Sequence, residues 1–196
     1  MNKKLFIFLS GLLIYPLPAL AHSFIGKVGF YDGISHPVLG LDHFLAMISV
    51  GILSAQIGGK AIWTVPTTFV AIMTIGGLFG FFLLIYEYFF VEVGIIFSVI
   101  FLGFGISIQK KISTKLIIFF VGIFGLFHGI AHGIEIPAAA NPLLFVLGFV
   151  CGTTILHLFG VSIGHFSIKK TISSILLRIS GISFATYGLY LLTQIF

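Results

Sequence analysis

Leu116 to Glu135 reads LIIFFVGIFGLFHGIAHGIE, an unbroken apolar run that ends in His128, His132 and Glu135. Twenty residues of helix rise about 30 Å, the thickness of a bilayer's hydrocarbon core. The stretch is therefore a transmembrane helix, and the fold follows from it. A helix turns by about 100° per residue, so positions i, i+4 and i+7 share one face within roughly two turns. Ionisable side chains in hydrocarbon cost on the order of 3 kcal/mol each and persist where they pair, bind or conduct something. Three metal-ligand side chains on one face read as half of a transition-metal site.

Composition extends that reading to the whole chain. Of 196 residues, 59% are hydrophobic and 8% are charged, with a mean hydropathy of +1.23. Soluble domains carry about 25% charged residues, so this composition is that of an integral membrane protein. Cys151 is the single cysteine, which excludes a disulfide framework or a thiolate zinc site within one chain. A net charge of +5 does not point to nucleic acid, because the basic residues sit in short clusters between apolar runs.

Lys3 and Lys4, an apolar run from Leu5, then Pro16, Pro18 and Ala19-Leu20-Ala21 have the pattern of a signal peptide over residues 1–21. Cleavage after Ala21 would leave His22 first, its α-amine beside its imidazole. Residues 22–196 then form one domain of six apolar segments, at about 36–57, 62–85, 92–109, 116–135, 142–165 and 173–195. Lys60, the set Lys110, Lys111 and Lys115, and the set Lys169, Lys170 and Arg178 alternate along the chain with Glu87, Glu92 and Glu135. The positive-inside rule puts the basic loops in the cytoplasm and both mature ends outside. The signal peptide independently requires the same N-terminal side. Six spans would divide into two antiparallel three-helix halves, as in inverted-repeat transporters, but no residue-level repeat marks the division. The 24 glycines suit close helix packing within one chain or in a homo-oligomer.

Span one opens with His36-Pro37-Val38-Leu39-Gly40-Leu41-Asp42-His43. Pro37 suits a first helical turn, and His36 and His43 at i and i+7 would share a face beside Asp42. Spans one and four carry their polar residues in the same outer leaflet, so His36, Asp42, His43, His128, His132 and Glu135 are expected to meet as one site. Imidazole and carboxylate suit Ni²⁺, Co²⁺ or Zn²⁺, whereas Cu⁺ would call for more thiolate or thioether than one Cys and three Met provide. The two carboxylates would balance a divalent charge. His157 in span five, His165 near its cytoplasmic end and His22 are candidate path residues. The competing reading of each is structural: helix packing near Thr153 and Thr154 for His157, an interfacial residue for His165, and a mere cleavage-site neighbour for His22.

The motifs His36-Pro37-x-x-Gly40-x-Asp42-His43 and Phe127-His128-Gly129-x-Ala131-His132-Gly133-x-Glu135 resemble those of the HupE/UreJ family of nickel and cobalt permeases. The similarity runs through the mature chain and includes Leu156-His157-x-x-Gly160. It implies passage of Ni²⁺ or Co²⁺ across the bacterial inner membrane to supply hydrogenase or urease, with the metal as cargo and no tightly bound cofactor. The same six residues are the expected metal-handling set.

Other classes fit less well. His128-x-x-x-His132 has zincin spacing, but Gly129 stands where a zincin carries its catalytic Glu, so no enzyme is expected. No Walker A motif occurs, which leaves channel-like or proton-coupled movement. A metal-binding accessory protein or sensor that does not transport stays open. The expected partners are a divalent metal ion and the lipid bilayer.

Overall fold

The computed structural model describes residues 29–83, 89–108, 112–136 and 141–195. The expected signal peptide and His22 lie outside the described residues. Seven helices and no strand occur among the described residues: α1 (Phe30–Leu39), α2 (Leu41–Ile57), α3 (Ala61–Leu83), α4 (Phe89–Ile108), α5 (Thr114–Ile134), α6 (Pro142–Ser167) and α7 (Thr171–Ile195). Each of α3 to α7 is long and apolar enough to cross a membrane, and the bent pair α1–α2 makes a sixth candidate. These are the dimensions of a multi-pass membrane protein.

Span one departs from the expected continuous helix over 36–57. Its helix begins earlier, at Phe30, and is bent by 89° between α1 and α2. Gly40 at the elbow is extended, with φ −94° and ψ 120°. Pro37 lies in the last turn of α1, not in a first turn. A proline lacks the N–H that would bond the carbonyl four residues back, which weakens that end of the helix. Asp42 stands in the first turn of α2, its Oδ1 accepting the His43 backbone N–H at 2.8 Å. His36 and His43 therefore do not share a helix face.

Glycines set four tight helix pairs, one of them α1–α6, where a Cβ at Gly33 would strike the Phe145 carbonyl and one at Gly148 the Phe30 carbonyl. A Cβ at Gly129 or Gly133 would strike the carbonyls of Met73 or Gly77, so the glycines of the α5 motif admit α3, and not span one, to backbone contact. Gly51 on α2 meets His157 and Val161, while Gly160 and Gly164 on α6 meet Ile48 and Ile52, so residue numbers rise together along this pair. The α3–α5 pair is likewise parallel, and α4–α7 is antiparallel, with Gly103 against Gly181 and Ala185 and with Ile100 against Gly188.

Beneath these contacts lies a dry core that includes Met47, Val50, Leu53, Val65, Phe69, Leu102, Ile106, Ile117 and Val121. At one end the Gln56 amide donates to the Ile106 carbonyl at 3.1 Å and Arg178 Nε donates to the Ser107 carbonyl at 3.0 Å. The opposite end carries the polar cluster. Exposed Ile172, Ile175, Ile179 and Ile182 give α7 an apolar outer face suited to hydrocarbon.

Candidate metal centre

The elbow at Gly40 does for the site what a straight helix could not. It turns α1, which packs on α6, so that His36 in its last turn faces the C-cap of α5 and His36 Nε2 stands 3.0 Å from Glu135 Oε2. His132 Nδ1 is 3.3 Å from the same oxygen. One donor atom from each of His36, His132 and Glu135 falls within 4.8 Å of the others, close enough to share an ion. Glu135 is the C-cap of α5, one residue beyond the span, and its backbone N–H still bonds the Ala131 carbonyl at 3.1 Å. Burial alone would raise its carboxyl pKa, but the His132 and His36 imidazoles more than offset that and hold it well below the usual carboxylate value. Glu135 is thus an anion in this arrangement.

Asp42, His43 and His128 form a second group beside these. The His43 ring is 4.5 Å from that of His132 and 5.0 Å from that of His128, so it bridges the two α5 histidines. Asp42 Oδ1 is 2.9 Å from His43 Nδ1. The carboxylate accepts that proton and leaves the His43 Nε2 lone pair free. His128 is oriented in the same way, because its Nδ1–H donates to the Phe124 carbonyl at 2.9 Å. A carbonyl can only accept, so the lone pair is again on Nε2.

Nε2 of His43, His128 and His132 is buried, and in each case has no hydrogen-bond partner among the described residues. Buried polar atoms are ordinarily satisfied. In His43 and His128 the far nitrogen is held by a carboxylate or a carbonyl while the near one stays unpaired, the usual second-shell arrangement of metal-binding histidine. Two carboxylates among the imidazoles can balance the charge of a divalent cation.

All six expected ligands therefore gather at one end of the bundle, in two tiers: His36, His132 and Glu135, then Asp42, His43 and His128. Five of them, all but the buried His128, line a cavity of about 350 Å³, whose wall also includes Glu92 and Gln194. Glu92 counts only as a loop charge in the sequence. Its position in the first turn of α4, facing residues of two motifs, makes it part of the mouth of this cavity. His132 also lines a separate apolar crevice between α3, α5 and α6, so it forms the wall between a polar and a dry space.

The path residues fare differently. His157 is buried, 5.2 Å from the ring of Phe69, which in turn is 5.3 Å from that of His128. His165 is exposed and stacks edge-on with Phe166 at 5.6 Å, away from the cluster.

Apolar helices closing around a histidine–carboxylate cluster define a polytopic membrane protein with ionisable groups held inside its helix bundle. The chain belongs to the HupE/UreJ family: the family described as HupE / UreJ protein matches residues 10–191. It is 38% identical over 178 residues to Protein HupE of Rhizobium leguminosarum bv. viciae, covering 90% of this chain and 92% of that one. No solved structure matches it.

Proposed function

We propose that the chain is a permease that carries Ni²⁺ or Co²⁺ across the bacterial inner membrane into the cytoplasm, supplying enzymes such as hydrogenase or urease. The observation that carries this reading is the convergence of three imidazole Nε2 atoms without partners and two carboxylates below one open cavity. Family membership points the same way.

The helix directions support six alternating crossings with α2 as the first. In such a chain spans one and five, and spans two and four, run parallel, while three and six run antiparallel. Those are the directions of the α2–α6, α3–α5 and α4–α7 pairs. Gln194 and Ile195 line the cavity, which puts the end of α7 on the same side as His36 and Glu135. Lys60, Lys115 and the Lys169–Lys170 turn belong to the helix ends opposite the cavity, in accord with a cytoplasmic basic side and external termini.

Glu92, Glu135 and Asp42 draw a hydrated divalent cation into the mouth by charge. His36, His132 and Glu135 then replace part of its water, and the ion steps to His43 and His128. Imidazole and carboxylate together favour borderline ions over Mg²⁺ or Ca²⁺. Since neutral imidazole is the ligand, binding a metal excludes a proton, and the two occupancies are linked.

Uptake of Ni²⁺ or Co²⁺ by cells producing the chain tests this. At matched membrane levels, Asp42→Ala, His43→Ala, His128→Ala and His132→Ala should each lower uptake sharply; normal uptake in all four would sink the permease reading. One observation favours a second reading, a metal-binding accessory protein without transport: the inner half of the bundle is closed by packed apolar side chains. In that case the wild-type chain would bind metal and raise uptake not at all.

A further inference from the structure

His157 is a buried imidazole that the two-tier cluster leaves unused. It is 1% exposed, and neither ring nitrogen has a hydrogen-bond partner among the described residues. A neutral imidazole has one N–H and one lone pair, and leaving both unmade in an apolar interior is costly. The neighbouring threonines do not relieve it. Thr153 Oγ1 turns to Met73 Sδ at 4.0 Å, and Thr154 Oγ1 donates to the Val150 carbonyl at 2.7 Å. A packing role would be served as well by leucine or phenylalanine without that penalty.

Its place in the fold is more telling. Phe69 presents its ring edge-on to His128 on one side and to His157 on the other. His128 Nε2, also buried and without a partner, is the inward limit of the two-tier cluster. The imidazoles thus follow one another inward in single file, with one aromatic ring interposed before the last.

We infer that His157 is a second cation-binding station, reached from His128 when the Phe69 ring turns aside, and that the two imidazoles hold a borderline divalent ion there in transit. The inference rests on the permease reading and adds an inner station to it. Asp42 and Glu135 belong to the mouth cluster, so the inner station is built from the two imidazoles, which are neutral donors when unprotonated. A cation held without a counter-charge is held more weakly. That suits a station which must release its ion as readily as it accepts it.

Cobalt titration of the purified full-length chain in detergent, followed by the visible ligand-field bands of Co²⁺, separates this station from the mouth cluster. Wild-type chain should bind one equivalent strongly. Phe69→Ala should bind a second equivalent, and Phe69→Ala combined with His157→Gln should lose that second equivalent while keeping the first. Phe69→Leu, which keeps most of the apolar volume, repeats the titration if the alanine variant does not accumulate. Uptake by His157→Gln should fall at least tenfold with the first-equivalent bands unchanged. A single equivalent in both Phe69 variants, a second equivalent that survives loss of His157, or wild-type uptake by His157→Gln would overturn the station. A wild-type chain that binds cobalt but transports nothing would overturn the permease reading instead, and the second equivalent would still decide whether His157 binds metal.

Discussion

His36 Nε2 lies 3.0 Å from Glu135 Oε2, although 99 positions separate the two residues in the chain. The contact ties the last turn of α1 to the C-cap of α5 and occupies the place where a cation would join them. If both residues hold one ion, their losses overlap. His36→Ala and Glu135→Gln should each weaken Co²⁺ or Ni²⁺ binding at least tenfold, about 1.4 kcal/mol. The double variant should lose less than the product of the single effects, because residues sharing a partner are not additive. Isothermal titration of the three variants measures the coupling, and strict additivity would show that the two residues do not share an ion.

Binding should weaken as pH falls, because an imidazole must be unprotonated to ligate and a proton therefore competes with the metal. Glu135 has its carboxyl pKa held down, so it stays ionised through mildly acidic conditions and is not the group that titrates there. Affinity measured by titration from pH 8 downward should therefore fall as protons displace the metal. An affinity independent of pH down to the point of unfolding would argue against imidazole ligation.

The glycines of α5 are not equivalent. A Cβ at Gly129 would strike the Met73 carbonyl, whereas one at Gly122 would meet nothing closer than Thr68 Cγ2 at 3.9 Å. Gly129→Ala should force α3 and α5 apart and lower both yield and thermal midpoint in fluorescence-detected size exclusion. Gly122→Ala should leave both unchanged or improve them, since alanine is the better helix former.

At the elbow the cost falls on the site. A Cβ on Gly40 would come within 2.9 Å of Asp42 Oδ1 and 3.1 Å of His43 Nδ1. Gly40→Ala should displace the pair that orients His43 while leaving the helix pairs intact. The expected result is metal affinity reduced several-fold at normal yield and unchanged thermal midpoint.

The long helices were legible in the sequence because bilayer thickness fixes their length: the expected segment at 142–165 is Pro142–Ser167, and that at 116–135 is Thr114–Ile134. The convergence of both motifs was legible too, since each carries costly ionisable groups within an apolar setting. The elbow was not. Apolarity alone runs smoothly through span one, and the break is written only in punctuation: Pro37, Gly40 and an Asp42 in the first turn of α2. Neither was the partner of Gly129 and Gly133, because a glycine marks close approach without naming the helix that approaches. Glu92 escaped for a similar reason, since only the packing of α4 beside α5 and α7 turns a loop charge into part of the cavity wall. For His157 the sequence offers depth, but the intervening Phe69 comes from a different helix.

Uptake of radioactive Ni²⁺ into proteoliposomes holding the purified chain, with unlabelled Co²⁺ and Zn²⁺ as competitors and with and without a pH gradient, tests whether the chain moves metal. A permease should show saturable uptake, competed by Co²⁺ and abolished by His132→Ala. Uptake no greater than that of empty liposomes, from a chain that still binds Ni²⁺ in titration, would contradict the permease reading.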